Sequence, residues 1–140
     1  MGCLIGLDFG IKNSGIAITD QNQIIASPLD TCKTDGLIPF LIKYDKNEGV
    51  DAFVIGKPIQ KDGSPSDVEK EILEFIIKLK KSFPNKSIYR QDERYTSKIS
   101  SRVILESGIK KNKRKNKRLI DKISATLILQ SYLEYKSKNL

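Results

Sequence analysis

Short apolar runs alternate with polar, glycine-containing breaks along the first part of the chain. Three such runs, at residues 3–9, 15–19 and 23–27, are rich in isoleucine and other strand-forming residues, and each is typical of a β-strand. Because the breaks between them are short, we expect consecutive antiparallel strands that form a meander.

Apolar residues then recur at spacings of three and four over residues 35–47, which predicts a helix. The continuous apolar run at 52–56 follows that helix and predicts a buried parallel strand. A second helix is predicted to begin with a capping box, in which Ser66 is the cap and Glu69 lies three residues further on. The Pro84-Asn85 pair marks its end.

The remaining pattern predicts a strand at 87–92, a helix that closes at Ser107-Gly108, and a last helix from about 117 to 136. The predicted buried stripe of the last helix consists of Ile120, Ile123, Leu127, Ile128 and Tyr132. This order of elements predicts an α/β fold in one domain over residues 1–140. We expect a mixed five-stranded sheet, with three antiparallel strands followed by parallel ones, flanked by helices.

The composition favours one class of partner and excludes some kinds of catalysis. Among 140 residues, 25 are Lys or Arg and 17 are Asp or Glu, which gives a formal net charge of +8. Such an excess favours a polyanionic partner, most often nucleic acid, although a lysine-rich surface can also serve solubility alone. The chain contains no histidine, which excludes Ser-His-Asp and Cys-His catalysis.

The cysteines and the apolar runs indicate where the protein works. Cys3 and Cys32 lack metal-binding spacing and histidine partners, so a zinc site is not expected. No apolar stretch approaches the ~20 residues of a membrane helix, and no basic segment precedes the first apolar run as it does in a secretion signal. We therefore expect a cytoplasmic protein with reduced thiols and no membrane contact.

Acidic residues stand at three informative positions. Asp8 follows the first apolar strand, the Asp92-Glu93 pair follows a later strand, and Asp121 lies in the first turns of the last helix. Carboxylates that converge at one edge of a sheet repel one another unless cations lie between them. Oxygen ligands suit Mg²⁺ or Mn²⁺, and two such ions about 3.5–4 Å apart can cleave a phosphodiester.

Each acidic position also has a structural interpretation. Asp8 beside a glycine fits a turn, and the Asp92-Glu93 pair fits strand-end charges paired with neighbouring arginines. Asp121 fits a helix N-terminus, where it would complement the helix dipole.

Residues 110–118 form a dense basic segment ahead of Asp121. We predict a loop there that is either simply solvated or contacts the phosphate backbone of a nucleic acid. Its basic side chains are Lys110, Lys111, Lys113, Arg114, Lys115, Lys117 and Arg118. Aromatic residues make up 7% of the chain and tryptophan is absent, so an extended base-stacking platform is not expected.

Five short motifs, in order along the chain, resemble those of the YqgF/RuvX family. They are Ile5-Gly6-Leu7-Asp8-Phe9-Gly10, Ala26-Ser27-Pro28-Leu29, Val54-Ile55-Gly56-Lys57-Pro58 with Asp62-Gly63-Ser64, Asp92-Glu93-Arg94-Tyr95-Thr96-Ser97, and Leu119-Ile120-Asp121-Lys122-Ile123-Ser124-Ala125. Members look like ribonuclease H-like domains and are described as Holliday junction resolvases. The bacterial branch is linked to maturation of the 16S ribosomal RNA precursor.

The resemblance implies a metal-dependent endonuclease that acts on ribosomal RNA precursor or branched DNA. It implies that three carboxylates are catalytic ligands of Mg²⁺ or Mn²⁺, namely Asp8, Glu93 and Asp121. Asp92 is a weaker candidate, because one of an adjacent pair is expected to face the metals. Arg94 and Thr96, in the same motif, are expected to orient the substrate or the acids.

Other functions stay open at the level of sequence. A strand followed by Asp8-Phe9-Gly10 and a second strand also fits the phosphate-binding hairpin of actin- and sugar-kinase-type phosphotransferases, although that class closes two domains over a nucleotide. A non-catalytic RNA-binding module would keep the fold without using the acids. A junction resolvase needs a homodimer with two sites, whereas RNA processing can be carried out by a monomer.

Overall fold

The computed structural model describes residues 2–60, 62–93 and 113–138, with side chains from residue 118 onward in the last range. Its strands are β1 (Cys3–Asp8), β2 (Asn13–Thr19), β3 (Ala26–Lys33), β4 (Val50–Lys57) and β5 (Ser87–Asp92). Its α-helices are α1 (Leu37–Glu48), α2 (Glu69–Ser82) and α3 (Lys113–Lys138), and a 3₁₀ turn at Thr34–Gly36 precedes α1. None of these described helices has the length and apolar character needed to cross a membrane.

The described strands form one mixed five-stranded sheet in the order β3-β2-β1-β4-β5. β1 pairs antiparallel with β2, and β2 with β3, which confirms the predicted meander. β4 runs parallel to β1, and β5 runs parallel to β4, as predicted for strands that follow helices. The carboxyl ends of β1, β4 and β5 therefore lie at the same edge of the sheet.

Each face of the sheet buries its own apolar core. The first core lies against α1 and α2, and its buried members include Ile5, Leu7, Leu41, Phe53 and Leu79. The second core lies against α3, and its buried members include Leu4, Ala17, Val54, Ile128 and Leu129. Because side chains alternate along a strand, β1 directs Leu4, Gly6 and Asp8 toward α3.

The third strand lies later in the chain than predicted. The expectation of a strand at 23–27 is wrong, because Ile24 and Ile25 are exposed and β3 begins at Ala26. The Asp20 carboxylate accepts hydrogen bonds from the backbone N–H groups of Ile24 and Ile25, each at 2.8 Å, so a turn uses these donors. Pro28 can lie within β3 because β3 is an edge strand.

Two helix starts also differ from the sequence prediction. α2 begins at Glu69 with no side-chain cap, so the predicted capping box is wrong; the Glu69 carboxylate instead lies 2.7 Å from the Arg90 guanidinium. α3 begins at Lys113, so part of the basic segment predicted as a loop is helical. The predicted helix that closes at Ser107-Gly108 lies outside the described residues.

The buried face of α3 is rotated relative to the predicted stripe. Ile128 and Tyr132 are buried as expected, but Ala125, Leu129 and Leu133 complete the stripe. The three other predicted members, which are only partly buried, are Ile120, Ile123 and Leu127. The sheet presents glycine and alanine to α3, which lets the helix approach the strand backbone closely.

Candidate active site

Asp8 is the last residue of β1 and belongs to the row that faces α3. Within the same row, a Cβ on Gly6 would lie 2.7 Å from the Cβ of Leu129 and 3.0 Å from the carbonyl oxygen of Ala125. The helix therefore packs against bare backbone here, since a strand glycine permits such an approach. This close packing holds α3 at a short distance from the backbone near the end of β1.

Gly15 brings Asp121 to Asp8. Gly15 is the direct partner of Asp8 in the β1–β2 ladder, so their Cα atoms are about 4.5–5.5 Å apart. A Cβ on Gly15 would lie 1.9 Å from the backbone oxygen of Asp121, which means that α3 rests on Gly15 at this residue. Asp121 precedes the buried Ala125 by four positions and shares its side of the helix.

Gly56 accommodates Glu93 in a similar way on the other side of Asp8. Gly56 lies near the end of β4, the parallel neighbour of β1. A Cβ on Gly56 would lie 2.8 Å from the carboxyl carbon of Glu93 and 2.7 Å from Ile128 of α3. The Glu93 side chain thus lies over the end of β4 and forms a hydrogen bond with the Asp8 side chain.

Burial and repulsion alter the acidity of these three residues, which we call the acidic cluster (Asp8, Glu93 and Asp121). Burial raises the pKa of Asp8 to about 8, with further contributions from the charges of Glu93 and Asp121 and from the hydrogen bond to Glu93. Burial also raises the pKa of Glu93, while the hydrogen bond to Asp8 and the positive charge of Arg90 lower it. The Asp8–Glu93 pair therefore holds a proton at neutral pH, which lies in the hydrogen bond between the two carboxyl groups.

Asp92 lies outside the acidic cluster. It is the register partner of Lys57 at the end of β5, and strand alternation directs it to the face away from α3. Its negative charge nevertheless contributes to the raised pKa of Glu93. Of the adjacent acidic pair, the structure therefore brings Glu93 to Asp8.

A buried ion pair supports the strand ends beneath the cluster. The Arg90 guanidinium donates to the Gly56 carbonyl oxygen at 3.0 Å and to the Glu69 carboxylate at 2.7 Å. These bonds join β5, β4 and the start of α2. Arg90 thereby fixes the backbone on which Glu93 lies.

Arg118 fastens α3 to the edge strand one turn before Asp121. The buried Thr31 hydroxyl donates to the Arg118 carbonyl oxygen, and the Arg118 guanidinium donates to the Thr31 carbonyl oxygen at 2.6 Å. The guanidinium also lies 3.7 Å from the Asp30 carboxylate. Arg118, which the sequence predicts to bind nucleic acid, links α3 to β3 in the structure, and its role in nucleic-acid binding stays a prediction.

The other predicted nucleic-acid contacts lie beyond what the structure describes. Arg94, Thr96, Lys110 and Lys111 fall outside the described residues. The backbone of α3 includes four more of them without described side chains: Lys113, Arg114, Lys115 and Lys117. Their role in nucleic-acid binding stays a prediction.

Two of the structural interpretations of the acids are wrong. Asp121 lies well inside α3, which starts at Lys113, whereas the dipole effect is confined to the first turn. Asp8 hydrogen-bonds to Glu93, and the turn after β1 is held by the Ser14 hydroxyl, which accepts from the Gly10 N–H at 3.3 Å.

The acidic cluster has the donor chemistry of a magnesium or manganese site. Its ligating atoms would all be carboxylate oxygens, which hard divalent cations prefer, and a cation would relieve the repulsion that raises the pKa of Asp8. As the side chains are placed, no three acidic or thiol groups among the described residues are arranged to hold a metal ion together.

Sequence reasoning did not identify Gly15, Gly56 or Thr31 as residues that position the site. A glycine inside an apolar strand run is a usable signal, because it indicates that other backbone approaches closely. Thr31 has no comparable signal, because its partner is a backbone carbonyl far along the chain.

Comparisons with known proteins identify the relatives of this chain. Residues 2–135 match the RuvX family, described as Holliday junction resolvase. A Flavobacterium psychrophilum protein is 46% identical over 95% of this chain and 97% of its own length. A Bacteroides fragilis protein is 45% identical over 97% of this chain and 99% of its own length. Both carry the provisional name pre-16S rRNA nuclease.

A solved structure has the same fold. RuvC of T. thermophilus, in complex with a Holliday junction substrate, superposes with a TM-score of 0.61 over 98% of this chain and 96% of its own. The sequence identity is 11%, so this likeness concerns the fold alone. The expectation of a ribonuclease H-like mixed sheet is confirmed.

Replacing Asp8 by Asn should stabilise the protein in the presence of a chelator. The folded-state pKa of about 8 exceeds the value of about 4 in an unfolded chain. Keeping Asp8 protonated in the folded state, while the unfolded chain releases this proton, therefore costs folding free energy that grows as the pH rises from about 4 to about 8. Denaturant unfolding measures the free energy of unfolding of both proteins. Over that pH range, the difference in favour of Asp8→Asn should grow by a few kcal/mol, at about 1.4 kcal/mol per pKa unit. Asp67→Asn, at an exposed site, is the control; lower stability of Asp8→Asn than of wild type at pH 8 would contradict the account.

Replacing Gly15 by Ala should displace α3 and the Asp121 that it carries. The new methyl group would overlap the Asp121 carbonyl oxygen, and such overpacking costs about 1–3 kcal/mol. The pKa of Asp8, followed by NMR, should fall as the charge of Asp121 moves away. Gly36→Ala is the matched control, because none of the described residues has an atom within 4 Å of a Cβ there. Equal effects of the two substitutions would show that α3 does not rest on Gly15.

Proposed function

The chain belongs to the RuvX family, and on that basis we propose that it is a metal-dependent nuclease that hydrolyses phosphodiester bonds in structured RNA, with 16S ribosomal RNA precursor as its substrate. The observation that carries the proposal is the acidic cluster, which three separate segments of the chain assemble at one edge of the sheet. The names of the relatives support the choice of RNA. The net charge of +8 favours a polyanionic substrate.

We infer that Asp8, Glu93 and Asp121 hold two Mg²⁺ or Mn²⁺ ions. When bound, such a pair activates a water molecule and stabilises the leaving oxygen of the phosphodiester. Asp8 ends β1, between β2, whose Gly15 contacts Asp121, and β4, whose Gly56 contacts Glu93, so it is the carboxylate best placed to be shared. Asp8 must release its proton for this role, which makes cation binding stronger as the pH rises toward 8.

The residues around the cluster have separate roles in this proposal. Arg90 holds Glu93 in place, and the link between Thr31 and Arg118 holds α3 and therefore Asp121. The basic residues at and before the start of α3 would contact the phosphate backbone, and they are Lys110, Lys111, Lys113, Arg114, Lys115 and Lys117. Arg94 and Thr96 would orient the strand beside Glu93. With no histidine in the chain, no imidazole base takes part.

A four-way DNA junction is a second candidate substrate, because the family description names it. Symmetric cutting of a junction needs two sites related by a two-fold axis, and thus a homodimer, whereas one site suffices to process RNA. Both substrates occur in the bacterial cytoplasm, where we place the enzyme.

Removing any carboxylate of the acidic cluster should abolish cleavage. Several kcal/mol of transition-state stabilisation come from such ions, so Asp8→Asn, Glu93→Gln and Asp121→Asn should each lower the rate by about a thousandfold. The assay uses a precursor RNA fragment and a four-way DNA junction, each with Mg²⁺ or Mn²⁺. Asp67→Asn should cleave like wild type.

The outcomes of this assay separate the candidate functions. Cleavage of the RNA alone supports the proposal, and cleavage of the junction alone would replace it with resolvase activity. Binding without cleavage by the wild type would favour a non-catalytic RNA-binding module. Undiminished cleavage by Asp8→Asn would remove the acidic cluster from the mechanism.

A further inference from the structure

Tyrosines form an exposed aromatic surface on the side of the sheet that carries the acidic cluster. The rings of Tyr89 in β5 and Tyr132 in α3 are stacked, with centroids 5.2 Å apart and planes inclined by 24°. Tyr132 is 9% exposed, whereas Tyr89 is 40% exposed and Tyr135, one turn further along α3, is 60% exposed. We call Tyr89, Tyr132 and Tyr135 the tyrosine platform.

The stacked pair leaves one aromatic face available. Tyr132 covers one face of the Tyr89 ring, so the exposed area of Tyr89 belongs to its other face and its edge. Burial raises the pKa of Tyr132, with further contributions from the charge of Tyr89 and from a hydrogen bond between the two side chains. The two rings are thus held together as a rigid neutral surface, which suits a flat aromatic ligand.

The tyrosine platform is connected to the acidic cluster both along β5 and along α3. Tyr89 and Gln91 of β5 lie on the same face as Glu93, which directly follows the strand, so Tyr89 lies about 13 Å from Glu93 along the chain. On α3, Tyr132 follows Asp121 on the same buried stripe at about 16 Å. Stacked nucleotides advance about 3.4 Å each along one strand. A strand that crosses the cluster therefore reaches the tyrosines within about five nucleotides.

We propose that the tyrosine platform is a stacking subsite for an unpaired base of the nucleic-acid strand that lies across the acidic cluster. Aromatic rings stack on any base, so this subsite would select for single-stranded character rather than for sequence. A base in a duplex is already stacked on its neighbours and cannot present its face to Tyr89. The preferred substrate would thus carry an unpaired segment a few nucleotides from the cleaved bond. This inference rests on the proposed function for the position of the strand, but stacking itself requires no cleavage.

Binding measured without cleavage tests the subsite independently of the nuclease activity. Fluorescence anisotropy in a chelator, with Asp8→Asn as the parent protein, would compare a labelled blunt RNA hairpin, closed by a non-nucleotide linker so that it has no unpaired bases, with the same hairpin carrying a single-stranded extension. Tyr89→Leu and Tyr135→Leu should each weaken binding of the extended hairpin by about five- to a hundredfold. Binding of the blunt hairpin should change less than about twofold.

Conservative and distant variants separate stacking from a structural effect. Tyr89→Phe keeps the ring and should retain affinity for the extended hairpin, even though it loses the hydroxyl. Tyr44→Leu changes a tyrosine of α1 that packs against the first core, on the opposite face of the sheet, and should leave binding unchanged. Melting temperatures of all variants identify any loss of folding.

Three results would overturn the proposal: no loss of affinity in Tyr89→Leu and Tyr135→Leu, an equal loss for both hairpins, or a loss in Tyr89→Phe as large as in Tyr89→Leu. The first result would leave the surface for another kind of partner, such as a protein. If the wild type cleaves RNA but Tyr89→Leu binds normally, the subsite fails and the nuclease proposal stands. If binding shifts as expected but the wild type does not cleave, the subsite stands and the nuclease proposal fails.

Discussion

The close approach of α3 to the backbone of the sheet is the constraint on which the candidate active site depends. Gly6, Gly15 and Gly56 lie on three adjacent strands, and a Cβ on any of them would collide with the helix or with Glu93. The absence of side chains at these positions lets α3 descend until Asp121 is next to Asp8. Three acids distant in sequence thus converge because the strands between them have no side chains at these glycine positions.

The convergence has an energetic cost that the rest of the fold offsets. Like charges at close range and partial burial disfavour ionised carboxylates, and the raised pKa of Asp8 expresses this cost. The two apolar cores on opposite faces of the sheet supply the favourable free energy. Arg90 and the link between Thr31 and Arg118 then hold in place the segments that carry Glu93 and Asp121. A site maintained against its own repulsion is a common sign of function, because activity and stability make different demands.

Sequence patterns predicted the parts of this structure that depend on local periodicity. The antiparallel meander, the later parallel strands and α1 follow from alternation, apolar runs and helical spacing. The patterns failed where a few polar contacts decide the local path. The Asp20 carboxylate holds Ile24 and Ile25 in a turn, so β3 begins at Ala26. The Glu69 carboxylate pairs with Arg90 instead of capping a helix.

The acids themselves were visible in the sequence, but their convergence was not. It depends on glycine contacts between distant segments and on a register that pairs Gly15 with Asp8. The composition could not predict the tyrosine platform either, because the platform joins Tyr89 to two residues of α3 that lie far along the chain. Sparse aromatics can still form a surface when the fold gathers them.

Anomalous diffraction from crystals equilibrated with Mn²⁺ tests the central claim most directly, because it locates the ions without reference to activity. The account predicts anomalous density between strands β1 and β4 and helix α3, within about 2.1–2.3 Å of carboxylate oxygens of Asp8, Glu93 and Asp121. Crystals of Asp8→Asn should lose that density. Saturating Mn²⁺ that leaves this position empty in the wild type, or occupies only sites elsewhere, would contradict the account.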